Sequence, residues 1–461
     1  MTAGPRGGRW AVVGGGMLGA AAARRLRATG ADVVLYEAAP TLGGLASAWQ
    51  LPGPGPEPVT WDRFYHVILG NDRRVQALLA DLGTPDVVWG ASLASCYTGG
   101  RAWPATSAAE LVGLPFLGPV AKARIGLTVA WAALWYSGRR FDRITAARWL
   151  RRWSGAQATE QLWMPLLRAK LGGAAERASA VFIWSTMRRL VMARFQGGDG
   201  DRFGHVPGGY AAVLGALATR LRQEGVEVRT GARVAAVRRG VGGLVVEDAA
   251  GGRQDFDRVL VTTAASLTGR LCSDLTAAER ERLAAVEYLG VLCPSVLLRR
   301  PVTGSYITYI TDSRPFTAVI EMTALVDPAE IGGHTLVYLP RYTAPDDPAF
   351  DASDESLRAE FLDAFLPMYG LDDADVLSFT VARARYVMPV PTPGYPQRVP
   401  SVNTSVPGLF ILGSAQITVG TLNIEQTLKL LDEGWAELGA TGESGDAAPG
   451  VPDAAVAPAS R

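Results

Sequence analysis

A doubly wound α/β fold is predicted by three observations near the start of the chain. The run Gly14-Gly15-Gly16-Met17-Leu18-Gly19 spells G-x-G-x-x-G. It sits between a short apolar segment, Trp10–Val13, and the Ala-, Leu- and Arg-rich stretch Met17–Thr29, so between a buried strand and a helix. An acid, Glu37, then closes a second strand, Ala31–Glu37, near the roughly 20-residue spacing at which a carboxylate accepts a ribose hydroxyl. In a chain with 53 glycines the pattern alone would carry little weight, but the strand–turn–helix context carries it. Gly14 makes the tight turn, Gly16 lets backbone approach a pyrophosphate, and Gly19 lets helix pack on strand. The phosphates would lie at the helix N-terminus, where unpaired N–H groups and the helix dipole favour negative charge.

The later elements can be placed in chain order. Residues 72–200 read as mainly helical, and ten of the twelve tryptophans fall between Trp49 and Trp184. That aromatic-rich insert differs from the Ala/Gly-rich opening and suggests a second domain with a large apolar cavity. From Gly208 the first texture returns: a helix at Tyr210–Glu224, a strand at Val226–Thr230, a hairpin of Val234–Arg238 with Leu244–Asp248, and a buried strand at Val259–Thr263. Strand-like runs then occupy Val291–Leu298, Tyr306–Ile310, Thr317–Met322 and Thr335–Leu339, succeeded by an acidic helix at 353–366. Leu409–Leu412 reads as the last strand and Ile424–Leu438 as the closing helix. The division is therefore discontinuous: 1–71, 203–285 and 396–440 form the nucleotide domain, and 72–202 with 286–395 form the substrate domain. The Ala/Gly/Pro/Ser-rich residues 441–461 are expected to be a disordered tail.

The residues after Glu37 select the cofactor. The sequence Ala38-Ala39-Pro40-Thr41-Leu42-Gly43-Gly44-Leu45-Ala46 resembles the flavin-containing amine oxidase and protoporphyrinogen oxidase superfamily, in which a Gly-Gly turn comes after the ribose glutamate. The resemblance continues through Phe203–Val237, Phe256–Ala264 and Val406–Gly413, and so covers roughly residues 9–435. It implies an FAD-binding Rossmann-type domain of the glutathione-reductase-like, amine oxidase type, with a discontinuous α+β substrate domain. The residues it assigns to FAD are Gly14, Gly15, Gly16, Met17, Leu18, Gly19, Glu37, Ala38, Gly43, Gly44, Leu45 and Ala46. It adds Val234, through backbone contacts to adenine, and Gly413, Ser414, Leu422 and Asn423 around the last strand and helix. One position departs from the pattern: Ser414 stands where FAD proteins often carry Asp. The small-residue loop Ala415–Gln426 still enters a helix, so a flavin site at that N-terminus is retained.

Substrate chemistry is expected in two places. Trp61-Asp62-Arg63-Phe64-Tyr65-His66 lies about 17 residues beyond the Gly-Gly turn, and by resemblance returns beneath the flavin. His66 suits proton transfer near neutral pH, or orientation of the flavin's pyrimidine end, with Tyr65 beside it. Trp163-Met-Pro-Leu-Leu-Arg168-Ala-Lys170 resembles the Pro-Leu-Leu segment of protoporphyrinogen-oxidase-like proteins, and its two cations are candidates for an anionic substrate group. Arg341, Tyr342, Arg383, Arg385 and Tyr386 are further candidates for the cavity wall.

Composition bounds the rest. Forty-five Lys and Arg against 44 Asp and Glu, without a basic block, give no reason to expect nucleic acid. Three separated cysteines, Cys96, Cys272 and Cys293, lack metal-ligand spacing and read as reduced thiols of a cytoplasmic protein; no metal is expected. The opening residues lead straight into a strand and are not expected to act as a secretion signal. The longest apolar run, Ile125–Tyr136, has twelve residues flanked by Lys122, Arg124, Arg139 and Arg140. It is shorter than the roughly 20 residues of a spanning helix, which leaves a core helix or a peripheral membrane contact.

The reading is an FAD-dependent oxidoreductase, an oxidase or dehydrogenase, in which an apolar or lipid-like small molecule gives a hydride to flavin N5. C–C desaturation and C–N oxidation are both open. One alternative is a flavin-dependent isomerase resembling UDP-galactopyranose mutase, which a cluster of several arginines around the flavin's open face would favour. Another is a non-catalytic FAD-binding partner protein.

Overall fold

The computed structural model describes residues 7–55, 58–91, 93–134, 138–196 and 202–439, so the expected tail at 441–461 lies outside the described residues. Ten elements matter for the site and carry labels. The strands are β1 (Arg9–Val13), β2 (Asp32–Tyr36), β3 (Glu227–Arg229), β4 (Arg258–Val261) and β5 (Leu409–Ile411). The helices are α1 (Met17–Ala28), α2 (Pro119–Leu134), α3 (Ala146–Trp153), α4 (Met164–Leu171) and α5 (Gly209–Gln223). The five strands form one parallel sheet in the order β3-β2-β1-β4-β5.

Both faces of this sheet are covered, which is why its strands read as nearly unbroken apolar runs. Trp10 and Val12 of β1 pack with Leu18 of α1, Leu217 of α5 and Leu431 of the closing helix Ile424–Gly439. The alternate residues, Ala11 and Val13, face Val237, Leu244, Val246 and Phe256. Those belong to a three-stranded antiparallel sheet, in which the expected hairpin gains Arg253–Phe256 as a third strand. Helix α1 holds no acid in its first turn and Arg25 and Arg27 in its last, which complements its dipole at the C-terminal end.

The second half of the molecule is an eight-stranded sheet beside a helical layer. Its central strand, Tyr288–Leu298, is buried throughout. Side chains alternate along it. Val291, Cys293 and Leu297 face the hairpin Ala48–Leu51/Val59–Asp62, whereas Leu292, Val296 and Leu298 pack on the acidic helix, which spans Asp354–Phe365. Helices α2, α3 and α4 share a separate aromatic core with Trp149, Trp163 and Trp184.

Two expectations change. Within the segment 72–200 a first helix, Arg73–Leu82, leads into the strands Val88–Ala91, Ala94–Thr98 and Arg101–Pro104 before the remaining helices begin. These strands are short and weakly patterned, and Ala94–Thr98 is fixed by parallel pairing with the distant Ile307–Ile310. The 14-residue strand Val376–Pro389, running antiparallel to Tyr288–Leu298, had no clear sequence signal. Its charges, Arg383 and Arg385, interrupt the apolar alternation that marks a strand. Among the described residues no helix is long and apolar enough to cross a membrane.

Candidate functional site

In an open parallel sheet, ligands bind beyond the carboxyl ends of the strands, at the point where strand order reverses. Here that point lies between β1 and β4, and four loops converge on it. The first is Gly14–Gly16. Thr262, just after β4, donates its hydroxyl to Gly14 O at 3.0 Å, and Gly43 N–H donates to Gly15 O at 2.8 Å. The fourth loop comes after β5, where Gly413 N–H donates to Gln416 Oε1 at 2.8 Å.

The expected glycine roles have a measurable basis. A Cβ on Gly19 would lie 1.8 Å from Gly14 O, so no other residue allows α1 to approach the β1 turn this closely. A Cβ on Gly16 would meet nothing nearer than 4.0 Å, so the space beside Gly16 is open. The first turn of α1 carries neither a side-chain cap nor an acid. Glu37 is tied into the same loop: Gly15 N–H donates to Oε2 and Ala39 N–H to Oε1, both at 2.7 Å. Each carboxylate oxygen keeps a lone pair for a ribose hydroxyl. Gly231 N–H and Ala232 N–H donate to Ala39 O and Glu37 O, which brings the segment entering Val234 against this end of the sheet.

Arg63 is a candidate site residue to which sequence reasoning gave no role. Its N–H donates to Ser47 O, one turn beyond Gly43-Gly44, and its guanidinium lies 5.3 Å from the Trp49 ring centroid. The side chain is partly buried, no carboxylate among the described residues pairs with it, and its Nε has no acceptor. Burial accordingly lowers its pKa. A desolvated cation without a partner is unfavourable until an anion arrives. The open space at Gly16 and the uncapped helix fit a dinucleotide pyrophosphate, and Arg63 is a candidate cation for an anionic group of the cofactor. The structure thus accommodates FAD by its own geometry.

The other assigned residues divide. Met17 and Leu18 have buried side chains within the core, which leaves their backbone to face a ligand. Gly44–Ala46 forms a short 3-10 turn. Asn423 caps the closing helix, its Oδ1 accepting Gln426 N–H at 2.9 Å, with Leu422 packed toward the helical layer. Ser414 adjoins Tyr288, whose phenol burial pushes up while the Ala265 N–H and Ser414 partly offset it.

The substrate candidates separate in the same way. Arg168 and Lys170 are two residues apart on α4 and so point in different directions. Arg168 turns to solvent and pairs with Glu176 at 2.5 Å, contrary to the expectation that both cations face a ligand. Lys170 points inward and donates to the Tyr342 hydroxyl at 3.0 Å, which in turn lies 3.0 Å from the Tyr65 hydroxyl. Its Nζ is 4.9 Å from the Tyr342 ring centroid and 5.7 Å from that of Tyr65. The approach depends on Gly172, where a Cβ would lie 2.5 Å from Tyr342 O. Because Lys170 can only donate, Tyr342 accepts from it and can donate to Tyr65, leaving the Tyr65 proton to be given onward. Burial, then Tyr342, raise the Tyr65 pKa well above the usual phenol value, so Tyr65 is a donor and not a base. Cys293 is buried below, its thiol pushed up by burial.

His66 does not join this chain of donors. Its ring sits edge-on to Tyr210 at 5.1 Å, and its Nδ1 is 3.6 Å from Asp62 Oδ2, too far for a hydrogen bond. Asp62 instead accepts Tyr210 N–H at 2.8 Å and so caps α5. The arginines proposed for the cavity wall are neutralised locally: Arg341 by Glu360, Arg383 by Asp354, and Arg385 by Asp351.

Comparison with known proteins points the same way. A family model described as flavin containing amine oxidoreductase matches residues 19–422. Sequence comparison with curated proteins gives no match. Among solved structures, the chain is similar to a protoporphyrinogen oxidase-like protein from Exiguobacterium sp. 255-15, with 18% identity, 93% of this chain and 98% of that chain covered, and a TM-score of 0.73. It is also similar to putrescine oxidase bound to putrescine (17% identity, 94% and 99% covered, TM-score 0.70). A third is reduced UDP-galactopyranose mutase (15% identity, 92% and 95% covered, TM-score 0.67). At these identities the likeness establishes the fold.

Proposed function

This chain belongs to the flavin-containing amine oxidoreductase family, and from that premise we propose that it oxidises an apolar, lipid-like molecule carrying an oxygen acceptor, by desaturation of a C–C bond. FAD, when bound, supplies the hydride acceptor. The Gly14–Gly16 backbone and the α1 N-terminus would hold its pyrophosphate and Glu37 its ribose, with Arg63 a candidate cation for an anionic group of the cofactor.

The observation that carries the reading is the relay from Lys170 through Tyr342 to Tyr65. It offers a substrate a hydroxyl donor backed by a positive charge. That arrangement suits a carbonyl, carboxylate or phosphate oxygen and holds it while a neighbouring C–H bond breaks. It does not suit a protonated amine, which Lys170 would repel and for which no carboxylate stands in the relay. In this reading the aromatic helical layer that carries Lys170 would supply a dry wall for the rest of the substrate. The neutralised arginines Arg341, Arg383 and Arg385 weigh against a nucleotide-sugar diphosphate and so against the mutase reading.

The test is a matched pair of apolar compounds, one ending in a carbonyl or carboxylate and one in a primary amine. The oxygen-bearing compound is expected to yield a product lighter by two hydrogens and the amine to be a poor substrate. Preferential oxidation of the amine would refute desaturation as the reaction.

A further inference from the structure

The strongest unassigned feature is the outer face of α2. Val120, Leu127 and Leu134 are 73%, 70% and 75% exposed, and with Ala123 and Ala130 they form an uninterrupted apolar stripe at spacings of three and four. The opposite stripe, Ala121, Ile125, Thr128 and Ala132, is buried against the helical layer. The helix is therefore apolar on both faces, and among the described residues only one has a partner. Trp153 of α3, itself 39% exposed, stacks on Trp131 of α2 at 4.7 Å and extends the patch. A contiguous exposed patch of this kind marks an interaction surface.

Charge identifies the partner. Between Phe116 and Trp153 the sequence carries eight Lys and Arg against one acid, Asp142, in a chain whose net charge is only +1. Among them Arg143, Arg148 and Arg152 are exposed beside the patch, whereas Arg151 is paired with Glu160, and Arg124 donates to Arg152 O and Trp153 O, clamping α2 to the end of α3. We infer that α2 and the end of α3 dock on an anionic lipid surface, with the apolar stripe in the headgroup–acyl boundary and the arginines at the phosphates. A second copy of the chain is disfavoured as the occupant, because face-to-face pairing would set like-charged rims against each other. The 16 residues of α2 span about 24 Å, short of the roughly 30 Å hydrocarbon core, so the helix lies along the surface and does not cross it.

The test is flotation of the FAD-loaded protein with vesicles of phosphatidylcholine alone or of equal parts phosphatidylcholine and phosphatidylglycerol. Flotation with the anionic vesicles, weakened by salt, is expected. Leu127→Glu should abolish it while the flavin spectrum stays unchanged, since Leu127 lies outside the core. Arg148→Glu with Arg152→Glu should weaken partitioning roughly fivefold or more per charge. No flotation with either vesicle would overturn the inference. So would binding that is equal for both vesicles and indifferent to the arginine changes. Self-association lost in Leu127→Glu without any vesicle binding would overturn it too, and assign the face to a second copy instead.

Discussion

Gly16→Ala is expected to fold as the parent does and to bind FAD more weakly. The backbone at Gly16, φ −68° and ψ 176°, is one any residue adopts, and the added Cβ would find no atom nearer than 4.0 Å. The apoprotein therefore has no reason to object to the methyl group. Only a ligand seated against the Gly14–Gly16 backbone would meet it. Overpacking of this kind costs about 1–3 kcal/mol, or roughly five- to a hundredfold in affinity. Titration of apoprotein with FAD, alongside circular dichroism, reads both properties. Gly19→Ala supplies the contrast, because its Cβ would collide with Gly14 O at 1.8 Å and it should damage folding as well. Unaltered FAD affinity in a folded Gly16→Ala protein would mean that the pyrophosphate lies elsewhere.

Lys170→Met should leave the flavin content intact and lower turnover by about 10²–10³-fold, the loss typical of removing one preorganised charge or donor from a reacting oxygen. Methionine preserves the length and apolar stem of the side chain. Tyr342→Phe keeps the charge and breaks its link to Tyr65, so a smaller loss is expected. Arg168→Met is the control: an exposed pair such as Arg168–Glu176 is worth about 0–1 kcal/mol, and activity should change less than about twofold. Single-turnover reduction of the flavin by substrate measures all three. Equal effects at Arg168 and Lys170 would remove the reason for placing the relay at the substrate.

The contrast between those two cations shows what the sequence could and could not convey. The cofactor half is written locally: the glycines, the start of α1 and Glu37 lie within 24 residues of one another, and strand–turn–helix chemistry specifies their geometry. The substrate half is written across distance. Lys170 and Tyr342 are 172 residues apart and meet because Gly172 lets α4 press against the strand Arg341–Thr343. The segment Arg168-Ala-Lys170 named both cations but held no information on which one α4 would turn inward. Arg383 and Arg385 were visible as charges, but not as ion pairs, because Asp354 and Asp351 come from a different part of the chain. Arg63 was quoted with its neighbours, yet what makes it notable is burial without a counter-charge, a property only the packed structure has.

The measurement that bears most directly on the assignment as an oxidoreductase is an anaerobic one. Protein with oxidised FAD is mixed with an excess of candidate substrate, the flavin absorbance is monitored, and air is then admitted. As an oxidoreductase the protein should bleach without any added reductant, regain its colour on reoxidation, and release a product lighter by two hydrogens for each flavin reduced. Contradiction would take a definite form: an oxidised flavin that no substrate bleaches, turnover only after dithionite reduction, and a product with the mass of its substrate. That outcome would assign the same fold and the same cofactor to isomerisation.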